Sequence, residues 1–228
     1  MQIDGRTFLV TGASRGIGAD LAALLVEDGG NVVLAARSEC PLPDDGTRSV
    51  AVVGDVTVDE DAARMVATAV ERFGRLDAVV NNAAVLSPPA RIVDITPDTW
   101  RHVLEVNVIG TANVVRHAVP ALAQAGGGAI VNMSSTWGRT AAGRQAPYCA
   151  SKFAVEALTA SLAQELPQGI ATVAVNPGVI ATDMLATAFE GDVSMFPGPT
   201  SLRAAWRALF AGIDDGWSGR SLDLGSLA

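Results

Sequence analysis

The chain has 228 residues, 49% of them hydrophobic, which supplies the core of one α/β domain better than two, and its formal net charge of -8 argues against nucleic-acid or anionic-membrane binding. No apolar stretch approaches the ~18 residues of a membrane span, and the start MQIDGRTFLVTG lacks the basic and apolar segments of a signal peptide. Cys40 and Cys149 are too few for a disulfide framework, so a soluble cytoplasmic protein is expected.

Short β-branched runs alternate with helical patterns along the chain. Thr7 to Val10 reads as a strand, followed by a glycine-rich turn and a helix to about Asp28. Asn31 to Ala36 and Ser49 to Gly54 are the next strands. Between them Pro41 and Pro43 leave little room for a helix. Thr57 with Glu60 predicts a capping box opening a helix to Phe73, with Gly74 as its stop. Leu76 to Val80 is a fourth strand. Thr96-Pro97 predicts a helix start, cap then first-turn proline, and the helix runs toward Ala125 and ends in Gly126-Gly127-Gly128. Ala129 to Met133 is a strand, Pro147 to Leu166 a helix, and Ile170 to Val175 a strand. After a looser stretch, Ser201 to Ala211 reads as helix and Ser221 to Leu224 as a last strand.

This alternation predicts a single doubly wound Rossmann-type α/β domain over residues 1–228, a seven-stranded parallel sheet with helices on both faces. Ligands of such sheets bind beyond the carboxyl ends of the strands. Gly12, Arg37, Asp55, Asn81, Ser135 and Pro177 all fall there.

Residues 11–18 read TGASRGIG, with Gly12, Gly16 and Gly18 between a strand and a helix. Glycine is needed where backbone turns tightly and approaches a pyrophosphate, and a helix N-terminus adds free N–H groups and partial positive charge. The same turn also occurs without a ligand. The second strand ends Ala35-Ala36-Arg37, where an NAD site commonly places a carboxylate on the ribose 2'-hydroxyl. Arg37, joined by Arg15, suits a 2'-phosphate and favours NADP(H), although either arginine also reads as a solvated cation.

The chain contains one tyrosine, Tyr148, and one lysine, Lys152, four residues later on a predicted helix. A phenol of pKa ≈ 10 is a poor base near neutrality. A neighbouring ammonium and an oxidised nicotinamide would lower that value, letting the phenol exchange a proton with a substrate oxygen. A buried tyrosine with an ordinary helical neighbour is the plainer alternative.

TGASRGIG, Asn81-Asn82-Ala83 and Tyr148-Cys149-Ala150-Ser151-Lys152 together resemble the single-domain form of the short-chain dehydrogenase/reductase family. The resemblance extends over Asp55-Val56, Asn107, Ser134-Ser135, Asn176-Pro177-Gly178 and the closing Ser218 to Asp223. It implies a hydride transfer between NADP(H) and a carbonyl/alcohol substrate. Tyr148 would be the general acid/base, and Ser135 would hydrogen-bond the substrate oxygen. Lys152 would bind the nicotinamide ribose and tune the tyrosine, and Asn107 would hold a water linking Lys152 to solvent. Gly12, Ser14, Arg15, Gly16, Ile17 and Gly18 would cradle the phosphates. Asp55 and Val56 would contact adenine, Asn81 and Ala83 the adenine-side ribose region, and Pro177, Gly178, Ile180 and Thr182 the nicotinamide end.

Ala84 departs from the family's usual glycine, and a methyl there is expected to shift backbone near the cofactor. A short lid is expected at about 183–200. Trp137, Met184, Leu185, Phe189, Met195 and Phe196 suggest an apolar or aromatic substrate wall, though each also reads as ordinary packing. His102 and His117 form no ligand-spaced cluster, so no metal site is expected, and Cys149 is given no role. The resemblance implies a homo-oligomer, tetramer or dimer, through the helices at 97–125 and 147–166. A non-catalytic NADP(H) sensor on the same fold is the alternative. A nucleotide-sugar epimerase or dehydratase would need a longer C-terminal region.

Overall fold

A computed structural model describes residues 1–227. The strands are β1 (Thr7–Thr11), β2 (Asn31–Ala36), β3 (Ser49–Val53), β4 (Ala78–Asn81), β5 (Gly128–Met133), β6 (Ile170–Asn176) and β7 (Ser221–Asp223). They form one seven-stranded sheet in the order β3-β2-β1-β4-β5-β6-β7, parallel throughout. The strand order reverses between β1 and β4, the place where such sheets open a crevice for a ligand.

The helices are α1 (Gly16–Glu27), α2 (Asp59–Phe73), α3 (Pro97–Leu104), α4 (Gly110–Gln124), α5 (Ala146–Leu162), α6 (Asp183–Phe189) and α7 (Arg203–Gly212). Alternation along β1 sends Phe8 and Val10 to one face and Leu9 to the other. Phe8 and Val10 pack with Leu21 and Leu25 of α1 and with Trp206 and Phe210 of α7. Leu9 packs with Met65 of α2 and Leu122 of α4. Burying both faces explains why the central strands are apolar at nearly every position. Arg203 and Arg207 of α7 pair with Asp20, Glu27 and Asp28 along the outer side of α1.

Several expectations change. Thr57 and Glu60 form no capping box: Val58 occupies the cap position, without a side-chain bond. The Thr57 hydroxyl and N–H both donate to Asp55 Oδ1 at 2.9 Å, a local turn that outcompetes the helix cap. Helix α5 stops at Leu162 rather than Leu166, and β4 begins at Ala78. The looser stretch contains α6, capped by Thr182, whose hydroxyl accepts from the Leu185 N–H at 3.2 Å. Residues 37–48 hold no helix, as their prolines suggested.

The expected long helix does start at Thr96, whose hydroxyl accepts from the Thr99 N–H at 3.2 Å. It is interrupted by a π turn at Glu105–Ile109, between α3 and α4. A π turn inserts a residue and re-aims the side chains beside it, and such turns gather at functional sites. Here it holds Asn107, 1% exposed, against α5 and the loop after β4.

Candidate active site

The glycine-rich loop leaves β1 and enters α1. Gly12 and Gly16 both have left-handed backbone, φ 65° and 60°, which only glycine adopts freely. A Cβ on Gly18 would lie 2.5 Å from both the Gly12 carbonyl oxygen and the Asn82 amide nitrogen, so a side chain there would force the loop open. No side chain caps α1, which leaves its first-turn N–H groups pointing out of the helix end. Ser14 and Ile17 are half-buried in this loop.

Asn82 holds the loop in place. Its Nδ2 donates to the Thr11 carbonyl at 2.9 Å and to the Gly12 carbonyl at 3.1 Å. The Thr11 hydroxyl accepts from the N–H groups of Asn82 and Ala83, at 3.1 and 3.0 Å. The ends of β1 and β4 are thereby laced together across the strand-order switch. Asn81 turns inward instead: its Nδ2 donates to Asn132 Oδ1 at 2.8 Å, and its own Oδ1 is buried without a protein partner. Ala84 is not in the left-handed region, which Arg144 and Glu190 alone occupy among the described non-glycine residues, so its methyl needs no backbone strain.

Arg37 is exposed at the end of β2 and forms no salt bridge among the described residues. Arg15 does not join it. Its Nε lies 3.4 Å from Asp183 on α6, and both side chains are largely exposed. Such a pair is weak and is readily exchanged for a stronger anion. Asp55 faces Thr57 through Oδ1, while Val56 is buried against Gly110, where a Cβ would come within 2.5 Å of the valine.

Ser135, Tyr148 and Lys152 converge at the carboxyl ends of β5 and β6. Ser135 caps a short turn, its Oγ accepting from the Trp137 N–H at 3.1 Å. The Trp137 and Tyr148 rings meet edge to face at 6.0 Å. The Tyr148 hydroxyl donates toward Met184 Sδ at 3.9 Å, so Trp137 and Met184 of the expected apolar wall border the phenol. Phe189 and Phe196 pack on each other at 5.7 Å, and Met195 is 84% exposed. Lys152 passes beside the Tyr148 ring, Nζ 5.5 Å from its centre, and donates to the Met133 carbonyl at 2.7 Å.

Burial governs the charges. It pushes the Tyr148 phenol up to about 12, with the Ser135 hydroxyl pulling the other way. The residues of the chain therefore do not by themselves give the lowered phenol expected from the Tyr148–Lys152 spacing. Removing the phenolate from water is the largest effect, and the Lys152 ammonium is committed to the Met133 carbonyl. Burial also brings Lys152 down to about 8, opposed by Glu156.

Asn107 meets α5 at Ser151, whose hydroxyl donates to the Tyr148 carbonyl at 2.7 Å. Its Oδ1 accepts from the Val85 N–H at 2.8 Å, and its Nδ2 donates to the Val85 carbonyl and to Ser151 Oγ, both at 2.9 Å. Both amide hydrogens are used, so a water held by this side chain has only the second Oδ1 lone pair. The side chain is first a clamp between the loop after β4 and the helix bearing Tyr148. Pro177 and Gly178 follow β6, the Gly178 N–H donating to Asn176 Oδ1 at 3.1 Å. Ile180 is buried, and Thr182 is half-buried with its methyl 3.5 Å from where a Gly16 Cβ would stand, closing the cradle from the far side.

Sequence reasoning missed four participants. Thr11 and Asn82 lace the loop. Gln145, three residues before Tyr148, is 2% exposed, and neither side-chain polar atom has a protein partner. Cys149 was given no role, yet its Sγ accepts from the Ala142 N–H at 3.4 Å and ties down the loop before α5.

The family model for short chain dehydrogenase matches residues 6–192. The chain is 36% identical over 226 residues to an NADPH-dependent pterin aldehyde reductase of Arabidopsis thaliana, covering 96% of this chain and 93% of that one. A 3-ketoacyl-(acyl-carrier-protein) reductase from Brucella melitensis, complexed with NADH, superposes with a TM-score of 0.88 at 28% identity over 97% of each chain. A structure from Escherichia coli CFT073, complexed with NADPH, matches with the same TM-score and identity over 98% of each chain.

Proposed function

We propose that this chain, which belongs to the short-chain dehydrogenase family, is an NADP(H)-dependent reductase of small carbonyl compounds that works in the alcohol-oxidising direction at the same site. The observation that carries this reading is the convergence of Ser135, Tyr148 and buried Lys152 beside a glycine cradle at one edge of the sheet. The cradle fits a dinucleotide in two respects: the α1 N-terminus is uncapped, and Gly12 and Gly18 keep the loop free of side chains that would strike Ala83 and the Gly12 carbonyl. Gly12, Ser14, Gly16, Ile17 and Gly18 would hold the pyrophosphate. Arg37, with Arg15 once it leaves Asp183, would meet the 2'-phosphate. Asp55, Val56, Asn81 and Ala83 would line the adenosine end, and Pro177, Gly178, Ile180 and Thr182 the nicotinamide end. The pterin aldehyde reductase relative supports both the NADPH preference and an aldehyde or ketone as substrate.

A bound nicotinamide cofactor supplies the hydride. Tyr148 supplies the proton: a phenol held up near 12 stays in its donor form at neutral pH, which suits reduction. Ser135 steadies the substrate oxygen, and Lys152 provides positive charge beside the phenol as proton transfer leaves it negative. Trp137 and Met184 exclude water and form an apolar wall, and residues 183–200 act as a short lid. Nothing in this arrangement favours a non-catalytic sensor, which has no use for a buried ammonium beside a phenol.

The oligomer we place on α4 and α5. Phe153 is 44% exposed on α5 and Ile109 52% exposed at the start of α4, next to a shallow groove lined by Val115, Val119, Leu158 and Leu162. A second copy meeting this face about a two-fold axis would cover it. Light scattering at micromolar concentration should give the mass of a dimer or tetramer, and a monomer would remove this part of the reading.

Two substitutions test the chemistry. Tyr148→Phe should still bind NADPH, while kcat/KM on a carbonyl substrate found by NADPH-consumption screening falls about 10²–10⁴-fold. Full activity in that variant would overturn the mechanism. Arg37→Ala should erase a preference for NADPH over NADH of about ten- to a hundredfold, the worth of one charge-assisted contact. Equal affinities of the parent chain for the two cofactors would contradict the assignment.

A further inference from the structure

Glu156 stands one turn beyond Lys152 on α5 and is half-buried. The four-residue spacing puts both side chains on one face of the helix. Its Oε1 accepts from Ser134 Oγ and, at 2.9 Å, from Ser221 Oγ. Ser134 directly precedes Ser135, and Ser221 opens β7. One carboxylate oxygen thus joins α5, the end of β5 and the last strand of the sheet. The turn carrying Trp137 presses on the same point: a Cβ on Gly138 would lie 2.5 Å from Ser134 Oγ and 3.0 Å from the Lys152 carbonyl oxygen.

This carboxylate is fixed by hydroxyls and bonded to no cation. Glu156 forms no salt bridge among the described residues. Its negative charge acts on two cations, Arg139 and Lys152. Arg139 already has Asp223 as a salt-bridge partner, and Asp223 also accepts from Asn176 Nδ2 at 2.7 Å. Lys152 has only a carbonyl. Around Lys152 stand the Tyr148 ring, the Met133 carbonyl and, one turn on, Glu156; the nearby Arg139 and Asp223 are paired with each other. Glu156 is the one charged group among them that favours the ammonium.

We propose that Glu156 is a positioning residue for the Ser135–Tyr148–Lys152 site: held by Ser134 and Ser221, its carboxylate is the fixed counter-charge that keeps Lys152 an ammonium beside Tyr148. Glu156 acts through Lys152 and Ser134, its Oε1 being taken by Ser134 and Ser221. A buried ammonium without a nearby negative charge sheds its proton readily. Attraction through a poorly screened interior opposes that loss, even where the carboxylate itself is partly wet. By engaging Ser134, Glu156 also steadies the strand end that presents the Met133 carbonyl and Ser135. The proposal deepens the catalytic reading above and rests on Lys152 serving Tyr148.

The single lysine makes a direct test possible. Lysine labelled with ¹³C at Cε gives one ε-methylene resonance, whose shift follows the charge on Lys152. Glu156→Gln keeps an oxygen for the two serines and removes the charge. Its Lys152 midpoint should fall about one pH unit below that of the parent chain, a roughly tenfold loss of proton affinity. In steady-state reduction the alkaline limb of kcat should move to lower pH by the same amount while KM holds, a change that loss of packing alone would not produce. An unchanged midpoint overturns the proposal. If Glu156→Gln does not fold, the double variant Ser134→Ala, Ser221→Ala releases the carboxylate and should lower the same midpoint; no change there overturns it equally. The resonance needs neither substrate nor cofactor, so failure of Tyr148 as proton donor would be recognised separately, in Tyr148→Phe.

Discussion

Removing Tyr148 and Lys152 from water is the constraint on which the site depends. Tyr148 is 7% exposed and Lys152 3%, and burial moves their proton affinities in opposite directions, the phenol up and the ammonium down. Each shift disfavours the charged form. The surroundings answer this with polar groups fixed in advance: the Met133 carbonyl for the ammonium, Ser135 near the phenol, and Glu156 anchored one turn away. Preorganised groups of this kind need little rearrangement as charge develops, and that is the form in which a protein interior assists proton transfer.

The fold supplies the rigidity that this arrangement requires. A parallel sheet buried on both faces brings the ends of β1, β4, β5 and β6 to one edge. Side chains then bind these ends together: Asn82 and Thr11 join β1 to β4, Asn81 and Asn132 join β4 to β5, and Asn107 clamps the loop after β4 onto α5. The π turn is what aims Asn107 inward. An uninterrupted helix from Pro97 to Gln124 would carry that side chain around the axis by the extra residue's share of a turn. The geometry of the proposed site is therefore held by asparagines and a helix irregularity as well as by Ser135, Tyr148 and Lys152 themselves.

Much of this was legible in the residues. The order of strands and helices follows from β-branched runs and glycine stops, and TGASRGIG marks the cradle because glycine alone meets its backbone demands at Gly12 and Gly16. The Tyr148–Lys152 spacing placed both side chains on one face of α5, where the Lys152 Nζ passes beside the Tyr148 ring. What could not be read were contacts between residues far apart in sequence. Asn82 reaches Thr11 across 71 positions, and Glu156 reaches Ser221 across 65. The π turn at Glu105–Ile109 shifts the helix by a single residue, too small an offset for apolar periodicity to register. The Thr57 capping box failed because Asp55 draws both the hydroxyl and the N–H of Thr57 into a local turn, and Val58 takes the cap position. Spacing reports a neighbour's charge and says nothing of burial, which raises the Tyr148 phenol in the chain without cofactor.

In the proposed mechanism the chain alone holds Tyr148 as a proton donor, and positive charge brought by the cofactor is needed to make it a base. Tyr148 is the only tyrosine, so its phenolate absorbance can be titrated directly once tryptophan is subtracted. The decisive measurement is that titration with and without saturating NADP⁺. The account predicts a midpoint well above 10 for the chain alone, toward about 12, and a fall of at least about one unit with NADP⁺. A midpoint at or below 10 without cofactor, or one that NADP⁺ leaves unmoved, would contradict it.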